Sequence, residues 1–434
     1  RMDAAFEENI RAELRDNLLR IRHHACLGLL CGNNEMELGW VGWEDVVTHH
    51  PALKADYIKM FEYVISQEAQ INAPDVFYWP SSPSSGGSFD DPNAENRGDV
   101  HYWDVWHRMK PFTDYEKFYF RFCSEFGFES FPGRKTIETF TEPSDRNIFS
   151  PVMESHQKNG AANGLIMFYI SSYYRYPKDF DSLLYISQLL QAEAMRHGVE
   201  HWRRNRGRCM GAIYWQLNDC WPVASWASID YFGRWKALHY YARRFFSPRM
   251  VTAKAEDAKL RMWVHNDSRT ALEGTVEVEL RDTAYGLLAH MEVPVQVPPL
   301  SVTELDPVDF MQELAERGQD TVFVAYRLCE KNNTGAYAST LFCRPKQMEL
   351  PRPNYTVHVL DCGNVFDIYV KSDCYAHQVE IETNLTDRPF SDNYFSLCTP
   401  QGVHVALEKD SVAPGVTAEQ LRESLQVRSV ADTF

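Results

Sequence analysis

The feature that most constrains this chain is a change of texture near residue 250. Before it, short continuous apolar runs alternate with stretches of helical periodicity; after it, β-branched segments follow one another with turn residues between. The early runs are 25–31, 76–79, 100–104, 119–123 and 210–217, each shorter than a helix and bounded by polar or Gly/Pro/Ser stretches. Between them, Phe6, Ile10, Leu14, Leu18 and Ile21 recur at helical spacing, 52–69 reads as a helix, and 180–205 as a long one. Strands alternating with helices predict a parallel sheet, whose strands are apolar throughout because both faces are covered. Five such strands within the first 250 residues predict part of a (β/α)8 barrel, with an open doubly wound sheet as the alternative. Polar and aromatic residues follow each run, which favours the barrel, since its working face is built from the loops after the strands.

The later segments, 260–265, 274–280, 321–326 and 356–360, are spaced as in sandwich domains, and prolines near 297–299 and 351–353 punctuate them. The expected organisation is therefore a C-terminal portion of a barrel over 1–250 and two antiparallel immunoglobulin-like β-sandwiches over 251–347 and 348–434.

Composition narrows the function. The 60 Asp and Glu outnumber the 44 Lys and Arg, for a net charge of −16, which argues against binding nucleic acid or an anionic membrane. The longest apolar run falls far short of the ~20 residues of a membrane span. Residues 1–20 read as a charged amphipathic helix rather than a signal peptide, and the chain opens at Arg1 inside that helix, as a piece of a longer polypeptide does. The ten cysteines include no C-x-x-C pair, and Cys26, Cys31, Cys123 and Cys209 sit in or beside apolar runs as buried thiols do. A reducing, cytoplasmic setting is expected, with secreted or lysosomal as the alternative raised by N-x-S/T sequons at Asn266, Asn332, Asn354 and Asn384. No cofactor or metal is expected. His23-His24 and His49-His50 are adjacent pairs whose side chains diverge on any regular element, so they read as solvated surface.

Two carboxyls stand out. Glu35 follows the first run through Gly32-Asn33-Asn34, the glycine permitting a sharp exit and the asparagines offering neutral donors. Glu125 follows the fourth run through Ser124 and precedes Phe126-Gly127-Phe128, an apolar flank that perturbs a carboxyl. Both leave the same ends of their strands and can converge over one mouth. Cleaving a glycoside takes two such groups, one to protonate the leaving oxygen and one to stabilise the oxocarbenium-like centre. The bland reading of an acid after a strand is a helix N-terminal residue favoured by the helix dipole. Glu37 and Glu129, two and four residues further on, are expected to fill that role.

Gly32-Asn33-Asn34-Glu35 and Ser124-Glu125-Phe126-Gly127 resemble the acid/base and nucleophile motifs of the retaining (β/α)8 glycosidases related to β-galactosidase and β-glucuronidase. Within that group the chain looks most like the bacterial-type β-mannosidases, through Val100-His101-Tyr102-Trp103-Asp104-Val105-Trp106-His107, the aromatic string from Tyr214 to Pro222, and the string from Phe390 to Phe395. The resemblance implies that the five runs are barrel strands four to eight. It implies Glu35 as general acid/base and Glu125 as nucleophile. Asn34 would bind the sugar 2-hydroxyl and Trp215 would form the floor of the sugar site, against the alternative of a core tryptophan. Asn218 and Asp219 would hold sugar hydroxyls or merely cap a loop; His101 and Trp103 would face the mouth; Trp43 would be a platform for the leaving-group sugar. A retaining exo-β-mannosidase acting on terminal β-mannose is the implied activity. The alternatives are a β-galactosidase or β-glucuronidase of the same group, or a non-catalytic carbohydrate-binding protein. The resemblance also implies N-terminal domains and strands one to three beyond these residues, without which the chain is expected to be inactive and poorly soluble.

Overall fold

In the computed structural model, residues 2–43 and 51–434 are described; His49-His50 lies outside them. The chain divides into two compact units, Arg1–Val105 with Thr113–Phe126 and Asn205–Tyr214, and Trp106–Phe112 with Gly127–Arg204 and Trp215–Phe434.

The first unit opens with a helix over Ala4–Ile21, capped by Asp3, whose side chain accepts the Phe6 amide. Its apolar stripe puts Ile10 and Leu14 against a core of Tyr57, Phe61, Ile65 and Phe89. The helix expected at 52–69 runs as Pro51–Tyr57, a π-helical Ile58–Val64 and Ile65–Asn72. Four short strands follow the expected order: β1 (Leu29–Cys31), β2 (Phe77–Trp79), β3 (Val100–Tyr102) and β4 (Cys123–Phe126). β1 pairs in parallel with β2, and β3 with β4, as the strand–helix alternation requires.

The structure corrects the strand reading at four places. β1 occupies only the end of 25–31, and Leu29 and Cys31 are exposed, because its one strand neighbour among the described residues is β2. β3 stops at Tyr102, since Asp104–His107 already turns as helix. β4 lies later than 119–123, so Glu125 sits within the strand rather than after it. The run at 210–217 forms no strand; it contributes one bridge, Ala212 with Cys123, supported by the Cys123 amide on the Gly211 carbonyl at 3.0 Å.

The second unit carries the helix Phe180–Arg204, as read from the sequence, with most of its residues buried. Beyond it lie two antiparallel sandwiches. In the first, Lys259–Asn266 is central to one sheet, and Leu272–Asp282 and Val322–Glu330 are central to the other. Their inner faces, among them Met262, Val264, Val276, Val278 and Val324, form one core. In the second, Val365–Ser372 and Ala376–Glu382 are central, and alternation of buried and half-exposed residues along Val365–Ser372 marks a sheet with one covered face. Phe366, Ile368, Val370, Val379 and Leu407 fill the core between them.

Candidate active site

The site belongs entirely to the first unit. β3 and β4 pair in a register that sets His101 opposite Glu125, so both side chains leave the same face. Trp103, two residues on, donates its indole N–H to Glu125 Oε1 at 3.1 Å. His101 Nδ1 lies 2.7 Å from Glu35 Oε1 and 3.7 Å from Glu125 Oε1. One side-chain oxygen or nitrogen from each of the three residues lies within 4.8 Å of the others. The two carboxyls keep 16% and 13% of their side-chain exposure, whereas the imidazole keeps 2%. The acids are therefore reachable and the histidine is not.

Glu35 owes its position to the loop before it. Gly32 is needed for space rather than for a turn: a Cβ there would meet the Pro80 carbonyl oxygen at 2.3 Å. The sharp turn falls on Glu35 itself, with φ 61°, a left-handed conformation that costs a non-glycine residue about 1–2 kcal/mol and gathers at functional sites. It is held by the Glu35 amide on the Ser82 carbonyl at 2.8 Å and by the Gly39 amide on the Glu35 carbonyl at 2.7 Å. Asn33 takes no part beside the acid. Its amide donates to Pro80 O and the Tyr57 hydroxyl, and its carbonyl accepts from the Met36 amide and Ser81. Asn34 bridges Ser82 through its backbone and leaves its side chain without a hydrogen bond among the described residues. Glu37 is the helix-start acid expected; it is buried, accepts from Tyr57 and Ser84, and is pushed up by that burial.

Burial also raises the Glu125 carboxyl. The charge of Glu35 adds to the rise, while His101 and the Trp103 indole oppose it. Beneath the acids lies a network that the sequence did not announce. Asp99 accepts from the Trp79 indole and the Ser84 amide on one oxygen, and from the hydroxyls of Ser82 and Ser124 on the other. Ser82 in turn meets His101 Nε2 at 3.0 Å. Asn93 clamps the His101 backbone, accepting its N–H and donating to its carbonyl. The one visible hint was the Pro/Ser/Gly stretch after β2, which reads simply as a loop. Gly98 lets it close: a Cβ there would sit 1.9 Å from the Ser84 carbonyl oxygen, and its φ is +60°.

The remaining candidates stand elsewhere. Trp43 ends the helix Met36–Gly42, half exposed, with its ring against Gly39. Trp215, Asn218 and Asp219 belong to the second unit. There Trp215 and Asn218 are exposed, and Asp219 is buried, accepting from the Ser225 hydroxyl at 2.7 Å. Glu129, expected at a helix start, is not at one. It is wholly buried in the second unit, where the amides of Gln157 and Asn159 donate to it, and burial lifts its carboxyl to about 7. Its neighbour Lys236, also buried, donates to the carbonyls of Ser130 and Ser225 and is lowered to about 8 by desolvation.

Outside this site, Glu277, Glu279 and His290 also gather, in the first sandwich. Arg327 and Arg281 already neutralise the two carboxylates, at 2.5 and 2.6 Å. His23-His24 is exposed, as the sequence suggested.

Residues 258–347 match the Mannosidase Ig/CBM-like domain and residues 350–433 an Ig-fold domain. β-Mannosidase B of Aspergillus fumigatus (strain CBS 144.89 / FGSC A1163 / CEA10) is 34% identical over 328 residues, covering 69% of this chain and 38% of that protein. The crystal structure of β-D-mannosidase from Dictyoglomus thermophilum superposes with a TM-score of 0.87 at 26% identity, over 99% of this chain and 51% of that one. The chain belongs to the β-mannosidase family of glycoside hydrolases. It spans 38% of the length of the curated relative. Its mixed α/β region followed by two sandwiches corresponds to the C-terminal part of the mannosidase structure. An exo-chitosanase from Amycolatopsis orientalis shares the fold, with a TM-score of 0.72 at 13% identity over 99% of this chain and 54% of that one.

Proposed function

We propose that this chain carries the two catalytic carboxyls of a retaining exo-β-mannosidase, with Glu35 as acid/base and Glu125 as nucleophile. The observation that carries the reading is the convergence of Glu35, His101 and Glu125 within 4.8 Å. Retaining glycosidases hold their carboxyls about 5–5.5 Å apart, whereas inverting ones leave about 6.5–9.5 Å for a water. In the first step Glu125 forms a bond to the anomeric carbon as the glycosidic bond breaks, and the proton of Glu35 goes to the leaving oxygen. In the second, water attacks the glycosyl-enzyme and gives its proton to Glu35, releasing Glu125 as carboxylate. Trp103 supports the first role, because a donor on Glu125 favours its ionised form. Asn34, whose amide makes no hydrogen bond among the described residues and which lies next to Glu35, suits the 2-hydroxyl. Trp43 remains a proposed sugar contact.

All ten cysteines are unpaired thiols and the sequon residue Asn266 is fully buried, which supports a reducing, cytoplasmic setting. The other three sequon asparagines are exposed, so a glycan search on the native protein checks this. For the activity, the protein expressed from its complete coding sequence is assayed on a panel of nitrophenyl glycosides, with the first-formed anomer read by proton NMR. Turnover of the β-mannoside with β-mannose appearing first is expected; α-mannose first, or preference for another sugar, overturns the reading.

A further inference from the structure

We propose that Asp99, which bonds to neither Glu35 nor Glu125, is a positioning residue that obliges the site to hold a proton for Glu35. This rests on the reading of Glu35 as the acid/base.

Asp99 faces four donors: the Trp79 indole at 3.1 Å, the Ser84 amide at 3.1 Å, and the Ser82 and Ser124 hydroxyls at 2.6 Å each. A carboxylate offers about four acceptor sites and no hydrogen, so this set fits the ionised form. A hydroxyl has one hydrogen, and a 2.6 Å contact to a carboxylate is the strong, charge-assisted kind. Ser82 therefore commits its hydrogen to Asp99 and presents only lone pairs to His101 Nε2, 3.0 Å away. For that contact to be a hydrogen bond, Nε2 must carry the hydrogen. This assigns the tautomer from the network around it.

The other ring nitrogen then faces Glu35. A bare Nδ1 and an ionised carboxylate 2.7 Å apart are two acceptors in contact, with nothing between them. One proton has to lie on that line, as neutral imidazole with protonated Glu35 or as imidazolium with Glu35 carboxylate. In either form the proton required by the leaving group is one hydrogen bond from where it is needed. Asn93 fixes the His101 main chain, and the ring, almost wholly buried, is held by Ser82 at one nitrogen and Glu35 at the other. The charged groups around the imidazole are Glu35 and Glu125 in front and Asp99 behind Ser82. Cys31 and Glu37 feel Asp99's charge from the flank.

Replacing Asp99 by Asn reverses the polarity. An amide donates to the serine hydroxyls, Ser82 can then donate to Nε2, and His101 becomes free to hold its hydrogen on Nδ1 with Glu35 as plain carboxylate. The test uses the protein expressed from its complete coding sequence, with a β-mannobioside that needs acid assistance and a dinitrophenyl β-mannoside that does not. In Asp99→Asn, the alkaline limb of kcat/KM on the mannobioside should move down by about one pH unit, with a loss on the order of tenfold near neutrality. KM and the rate on the dinitrophenyl substrate should stay near the unsubstituted values. Ser82→Ala, which removes the acceptor on Nε2 and perturbs the fold least, should shift the limb in the same direction and provides the reading if Asp99→Asn does not fold by circular dichroism. A limb that stays in place in the folded variant, or equal losses on both substrates, overturns the proposal. Failure of the unsubstituted protein to cleave either mannoside overturns the functional reading instead, before any variant is compared.

Discussion

The two units each gather acids around a cation or imidazole, and the two clusters are built for opposite ends. In the first unit, Glu35 and Glu125 are held from one side by His101 and Trp103 and stay partly open on the other. In the second, Glu129 is sealed: both its oxygens are taken by amides, Lys236 is buried nearby, and nothing of it reaches solvent. Glu129 is the more perturbed of the two neighbouring acids Glu125 and Glu129, and yet it is the one a substrate cannot touch. A raised carboxyl identifies desolvation, and desolvation is produced equally by a site poised for chemistry and by a closed core. Accessibility and an unfilled face separate the two.

The contrast is open to direct attack. Glu125→Ala should abolish hydrolysis, by at least about 10⁴-fold in kcat for a lost nucleophile, with thermal stability little changed; a variant that loses Tm in step with activity would make Glu125 a structural acid like Glu129. Glu35→Ala should lose on the order of 10²–10⁴-fold on substrates with poor leaving groups while keeping most of its rate on dinitrophenyl β-mannoside, and losing both alike would remove the acid role. Trp103→Phe deletes the donor that, together with His101, opposes the rise of the Glu125 carboxyl. Because the proposed nucleophile must be ionised, the acid limb of kcat/KM should move up, by about one pH unit at most, and an unmoved limb would show that the indole does not tune the acid. The smallest effect belongs to the sealed cluster. Glu129 is raised in the folded state, so its protonated form contributes stability that is fully present below the ordinary carboxyl range and is lost as pH rises through about 7. Glu129→Gln should therefore flatten the fall of Tm between pH 5 and pH 8 by a few degrees, about 2–4 °C, with no change in the shape of the activity profile; an unaltered Tm slope would mean that Glu129 does not titrate there.

Much of this was legible beforehand, for identifiable reasons. Helices such as Ala4–Ile21 and Phe180–Arg204 and the sandwich strands carry their own periodicity, so burial leaves a visible pattern. The short parallel strands do not. β4 was placed too early because Tyr119 and Phe120 are as apolar as the strand itself, and 210–217 looked like a strand because length and apolarity alone do not show whether a partner is there to bond it. In the site, Glu35 and Glu125 stood out by their motifs, and His101 and Trp103 by lying in a matched aromatic string. Asp99, Ser82 and Asn93 did not, since a serine or aspartate in a Pro/Ser/Gly loop is ordinary until its neighbours are known.

The residues alone determined the class of architecture and the change from α/β to all-β near residue 250, and they singled out the pair of acids to propose, because periodicity and short motifs are local properties of a chain. Tertiary structure alone decided that His101 lies between those acids, that the left-handed turn falls on Glu35 and not on Gly32, and that Glu129 is closed while Glu125 is open. Each of these depends on which groups from distant segments meet, and burial and hydrogen-bond partnership come into existence only when they do.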